Sequence, residues 1–149
     1  MSITYLEAQD ELYGMVNAAM AAAAPTVGLT YTPALYFPDT EVVPPNIDVL
    51  YAEASFVVVT AEQASLGSIR GVSMYEETGL LAVQVYSPKA NPENLRIAQQ
   101  IGEAIRTVFR GRSTSGAIWF RRQKLTPVAG NTTKNQVNVV ATCIYKTYQ

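Results

Sequence analysis

The sequence predicts an α+β domain: a mostly antiparallel sheet of about five strands with two helices packed on one face, in the order αβββαββ. Three observations lead to it. From Gly79 to Arg112 the chain reads GLLAVQVYSPKANPENLRIAQQIGEAIRTVFRGR, a near-continuous apolar run with β-branched members followed at once by a helical period. An earlier helical period follows a capping signal close to the first residue. Further stretches at 50–59, 68–76, 116–125 and 136–148 alternate with the two-residue period of strands.

Taken in order, Thr4 and Glu7 form a capping box in which hydroxyl and carboxylate each satisfy a free backbone donor. The helix behind it places Ala8, Leu12, Met15, Val16, Ala19, Met20 and Ala23 on one face. Its Ala-rich end, 18–24, makes only a thin apolar stripe, so the helix can lie close against a sheet, and Pro25 ends it. Residues 26–49 carry Pro33, Pro38, Pro44 and Pro45, which predicts an extended arm over the surface and no regular element. The arm also carries Tyr31, Leu35, Tyr36, Phe37, Val42 and Val43. Two readings of these stay open: they fold back into their own core, or Tyr36 and Phe37 dock on a neighbouring copy.

Leu50 to Val59 reads as a strand whose second half is buried on both faces, and TAEQASLG at 60–67 as a short helical turn. Ser68 to Glu76 alternates again, and Glu77-Thr78-Gly79 reads as a tight turn into the central strand. For the second helix, Asn91 is the expected N-cap, Pro92 takes the first helical position and Glu93 favours the positive end of the dipole. Leu95, Ala98, Ile101, Ala104, Ile105, Val108 and Phe109 form its apolar face, and Arg110, Gly111 and Arg112 close it. In Gly116 to Leu125, strict alternation sends Ile118, Phe120, Arg122 and Lys124 one way and Ala117, Trp119, Arg121, Gln123 and Leu125 the other. A turn-rich stretch at 126–135 then joins this strand to a last one, where Val137, Val139, Ala141, Cys143 and Tyr145 share a face.

Composition narrows the classes. A chain of 149 residues is most simply one domain, here with the arm at 26–49, and it needs no disulfide or metal to hold it. Cys143 is the only cysteine and sits in an apolar alternation, as a small core residue does. With 11 basic and 12 acidic side chains the net charge is −1, which does not suggest a nucleic-acid binder. There is no basic-then-apolar leader and no apolar run near the roughly 20 residues a bilayer needs, so the expectation is a soluble protein of a reducing compartment, away from membranes. The glycosylation pattern Asn131-Thr132-Thr133 is then a chance match.

The chemical inventory is short. Histidine is absent, and with it the usual proton shuttle, the commonest metal ligand and any Ser-His or Cys-His nucleophile. Glu76 and Glu77 are adjacent in a stretch read as a solvated turn, where their side chains diverge. Gly111-Arg112-Ser113-Thr114-Ser115-Gly116 follows a helix where a phosphate cradle precedes one. No catalytic residue, cofactor site or metal ligand is expected, and the protein is not expected to be an enzyme.

One cluster stands out. Arg106, Arg110, Arg112, Arg121, Arg122 and Lys124 hold six of the 11 basic side chains between the second helix and the next strand. Helix capping with ordinary solvation, an electrostatic contact with an acidic partner or neighbouring subunit, and protection of an edge strand against unwanted pairing all account for it.

The order AAAAPTVGLTYTPALYFPDTEVVPPNIDVLYAEASFVVV, then GLLAVQVYSPKANPENLRIAQQIGEAIRTVFRG, then a basic hairpin and VNVVATCIYKTY, resembles the tail terminator (tail completion) proteins of long-tailed bacteriophages and prophages. The resemblance covers nearly the whole chain. It rests on a Pro-rich arm leading into an early strand and on a strand–turn–helix unit whose helix ends in Phe109-Arg110-Gly111. The turn Ser87-Pro88-Lys89-Ala90-Asn91 is poorer in glycine than is usual in that family. The resemblance implies a virion protein, assembled in the cytoplasm of a bacterial host, that forms a homo-oligomeric, hexameric ring on the finished tail tube. Such a ring stops tube polymerisation and offers its other face to the head–tail connector; its partners are the tail tube protein and the connector, and it carries no active site. Closing a ring takes two different surfaces on each subunit. Candidate interface residues are Tyr36, Phe37, Arg110, Arg112, Arg121, Arg122 and Lys124. The rival expectations are another neck component, such as a head–tail adaptor or head-closure protein, and, more remotely, a small-ligand-binding domain.

Overall fold

The capping box forms as the sequence dictates: Thr4 Oγ1 accepts from the Glu7 N–H at 3.2 Å and the Thr4 N–H donates to Glu7 Oε2 at 2.7 Å. It opens helix α1, Tyr5–Ala23, in a computed structural model that describes residues 2–37, 49–63, 74–89, 92–129 and 134–148. The α-helix stops at Ala23, just ahead of Pro25 as the sequence predicts, although the helical course runs on past that proline. Pro25 sits in the first turn of a 3₁₀ segment, Ala24–Val27, where no donor is required of it, and Gly28 stops that segment at φ 85°.

Among the described residues five strands follow around one more helix: β1 Ala34–Tyr36, β2 Tyr51–Gln63, β3 Met74–Pro88, α2 Glu93–Val108, β4 Ile118–Val128 and β5 Lys134–Tyr148. They form one sheet in the order β1-β2-β3-β5-β4, antiparallel throughout except for the parallel β1–β2 pair. Both helices lie on the same face, so the α+β class and the order αβββαββ hold. The core between the layers takes Leu12, Val16 and Met20 from α1, and Ile101 and Ile105 from α2. The sheet supplies Phe56, Leu81, Val83, Val85, Ile118, Val137, Val139 and Tyr145.

The strands counted from the sequence are not quite those that form. Thr60 to Gln63 continue β2 and do not make a helical turn, and Glu77-Thr78-Gly79 lie inside β3 with no turn. The cause is pairing on both sides: Thr78 faces Thr60 and Ile144, and Glu77 faces Ala61 and Tyr145. Gly79 is required by a neighbour, because a Cβ there would meet the Phe56 ring at 2.4 Å. The third strand is instead β1, three residues inside the stretch read as irregular, held by parallel pairing of Ala34, Leu35 and Tyr36 with Tyr51, Ala52 and Glu53. Of the remaining readings, residues 38–48 of the arm with Val42 and Val43, residues 64–67 of the supposed turn, residues 68–73, the Asn91 cap and Asn131-Thr132-Thr133 lie outside the described residues.

Helix α2 buries Ala98, Ile101, Gly102 and Ile105, with Phe109 just beyond its end; Leu95, expected on the buried face, is 37% exposed in the first turn. Pro92 has helical dihedrals immediately before Glu93, and Gly111 is left-handed at φ 81°. The second half of β2 is not buried on both faces: Val57 and Val59 are 60% and 65% exposed. The face of the sheet away from the helices carries no covering element among the described residues. At the far corner the Ile3 N–H donates to the Lys146 carbonyl at 2.9 Å, where β5 runs on past the start of β4.

Candidate protein interface

Strand β4 decides how the basic cluster is presented. Arg121 pairs with Thr142 and Lys124 with Val140, so three steps along β4 match two along β5, which is a one-residue bulge. Arg122 sits in it at φ 55°, a left-handed conformation unusual for a side chain of this size. The bulge resets the alternation. Before it, Ile118 and Phe120 face the helices; after it, Gln123 and Leu125 do, with Gln123 Nε2 donating to the Phe109 carbonyl and Leu125 packed on the core. The face assignment by strict alternation is therefore wrong beyond Arg121. Lys124 joins Arg121 on the open face, and Arg121, Arg122 and Lys124 are all exposed.

The other predicted residues are dispersed. Arg110 lies beyond α2 with a guanidinium nitrogen 3.9 Å from Glu103, which also pairs with Arg106 at 3.4 Å. These are exposed pairs of small energetic weight. Arg112 is bridged to Trp119 at the sheet edge and holds its guanidinium 4.9 Å over the indole ring. Tyr36 and Phe37 part company: Phe37 stacks on Tyr13 of α1 at 4.4 Å, while Tyr36 meets Tyr51 edge-on at 5.8 Å. Tyr51 in turn stacks on Tyr86 at 5.0 Å and accepts from Lys134 Nζ at 2.5 Å. The Tyr86 hydroxyl titrates above its ordinary value, first because of burial and then because of the nearby charge of Glu53 and of Tyr51.

On the open face the cross-strand register aligns rows from β2 to β4: Thr60, Thr78, Ile144, Trp119; Val57, Leu80, Thr142, Arg121; Ser55, Ala82, Val140, Lys124; Glu53, Gln84, Asn138, Thr126. Beyond them Glu62 faces Glu76, and Glu76 faces Lys146. The face is thus acidic along β2, apolar in the middle and basic along β4. Sequence reasoning found the basic side and missed the other. The signal was present in Glu53 and Glu62, but the turn read at 60–67 hid that they share one strand.

Two more features complete the surface. An open groove of about 430 Å³ runs beside the Ala-rich end of α1, lined by Met15, Ala18, Ala19, Ala22, Val108, Arg112 and Thr114. Glu11 binds the loop before β4 through Ser115. Among the described residues no three His, Cys, Asp or Glu side chains converge as metal ligands, and no helix is long and apolar enough to cross a membrane.

No family model and no curated protein matches this chain. Solved structures do. One, known only by a sequence code, is 17% identical over 89% of this chain and 94% of its own, with a TM-score of 0.55. Another is a chain from the virion of a native gene transfer agent (GTA) particle, 17% identical over 91% of each chain, with a TM-score of 0.49. At this identity the first likeness speaks for the fold alone, and the second superposes too loosely to carry an argument.

Proposed function

We propose that this chain is a structural subunit of a phage-like virion, a tail terminator and not an enzyme, that assembles as a ring on the end of the tail tube. In that role it halts tube growth and provides the surface to which the head connector joins. The observation that carries the reading is the two-sided sheet: one face is sealed by α1 and α2, while the other is open, apolar at its centre and flanked by glutamates on β2 and cations on β4. A subunit with two unlike lateral surfaces suits head-to-tail closure. The αβββαββ order and the resemblance carried by the strand–turn–helix unit support the same reading.

The test is mass by light scattering across a concentration series, with negative-stain images of the same sample, alone and with added tail tubes. Rings at the tube end are the expected result. A monomer that ignores tubes overturns the reading, and binding to the portal side in place of the tube moves the protein to another position in the neck.

A further inference from the structure

The two edges of the sheet are treated differently. Beyond its first residues, which the segment at 111–113 bonds, β4 is blunted by Arg121, the Arg122 bulge, Lys124 and Pro127, each of which opposes addition of another strand. On the far side β1 covers β2 only at Tyr51, Ala52 and Glu53. From Ala54 to Glu62 the outer edge of β2 has no strand beside it among the described residues; its own one-residue bulge at Val58–Thr60 and the Tyr5 hydroxyl on the Phe56 carbonyl interrupt it, but no Lys, Arg or Pro lies in that stretch. It exposes Val57 and Val59 between Glu53 and Glu62. An edge of this length and apolar content needs a cover.

The charges say which cover. Glu62 stands directly opposite Glu76, and the pair has one cation of its own beside it, Lys146 facing Glu76 from β5, so the carboxylates at this end outnumber the cation level with them. Neither Glu53, Glu62 and Glu76 nor Arg121, Arg122 and Lys124 enter an ion pair within 4.0 Å among the described residues, whereas Arg106 and Arg110 both reach Glu103. On the shared face Lys124 is level with Ser55, one row from Glu53.

We propose that the β2 edge is covered by a second copy of this chain, with Glu53 and Glu62 of one subunit facing Arg121 and Lys124 of the next. Because β4 resists strand addition, the contact runs through side chains and does not extend the sheet. That the contact is head-to-tail, and not a face-to-face dimer, rests on the ring reading above. The chemistry is that of exposed carboxylate–cation pairs around two valines, so association weakens as salt shortens the screening length below roughly 8 Å.

Charge swapping tests it. Glu53→Lys with Glu62→Lys makes one protein, and Arg121→Glu with Lys124→Glu makes another; circular dichroism melts establish that each is folded. Light scattering, with and without tail tubes, is expected to show rings for the unsubstituted chain, single subunits for each variant alone and rings again for an equimolar mixture. Rings from either variant alone overturn the proposed contact and leave the terminator reading standing. A mixture that stops at dimers overturns the head-to-tail arrangement, and an unsubstituted chain that never associates overturns both. If a reversed variant does not fold, the neutral changes Glu53→Gln with Glu62→Gln are used, for which a tenfold or greater weakening of association is expected and an unchanged assembly refutes the contact.

Discussion

Glu11 of α1 holds Ser115 with both carboxylate oxygens, Oε1 accepting from the Ser115 N–H at 2.7 Å and Oε2 from its hydroxyl at 2.8 Å, across 104 residues of sequence. This clamp fixes the loop from which β4 starts. Burial alone would raise the Glu11 pKa, but the hydrogen bonds from Ser115 N–H, Ser115 Oγ and Ser113 outweigh it and hold the carboxyl below its ordinary value.

Replacing Glu11 by Gln is expected to cost roughly 1 kcal/mol at neutral pH, a charge-assisted pair discounted for its solvent exposure. Because the folded pKa is lowered, the clamp's contribution is complete above the ordinary carboxylate range and is lost as pH falls through the folded value. Urea midpoints of the two proteins should therefore differ at pH 7 and converge as the pH is lowered through the folded carboxyl's own value. A gap that stays constant through that value would assign the loss to packing.

Gly79→Ala places a methyl group 2.4 Å from the Phe56 ring, which also stacks on Tyr5 at 5.5 Å. With the ring held on both sides, the expected destabilisation is about 1–3 kcal/mol. Thermal unfolding measures it, and the additional change Phe56→Leu should recover part of the loss.

Arg122 occupies a backbone conformation that glycine accepts freely and that a β-branched residue resists. Arg122→Gly is expected to leave stability within about 0.5 kcal/mol, while Arg122→Val costs about 1–2 kcal/mol. Equal losses from both, read by urea unfolding, would mean the guanidinium matters more than the backbone.

Cys143 is wholly buried and its thiol is pushed up to about 12, mainly by burial. At pH 8 a thiol reagent should label the folded protein at the rate of its unfolding, and label it at once in urea. Immediate reaction of the native chain would contradict the packing of β5 against α2.

Local signals carried much of the fold. The Thr4–Glu7 box, the apolar period of α2 and the alternation of β5 each depend on neighbours in sequence, and each formed where expected. What was not legible depends on distant pairing. Glu77-Thr78-Gly79 has turn chemistry, yet strands on both sides and the Phe56 ring hold it straight. β1 exists only because Tyr51 to Glu53 offer an edge. The bulge in β4 escaped notice because its left-handed residue is an arginine, where a glycine would have marked it; as a result Arg121 and Lys124 were assigned to opposite faces. The candidate surface was half legible: its cations were visible as a run, whereas its carboxylates meet only when β2 is seen as one strand.

The bond from the Ile3 N–H to the Lys146 carbonyl joins the first described residues to the last strand at a single corner of the molecule. Anything fused before Ile3 and anything fused after β5 would leave from that same corner. A short linker could connect the two there, so a circular permutant opened elsewhere should keep the sheet intact. In a closed assembly every such corner would fall on one rim, and a tag placed at either end would decorate that rim alone.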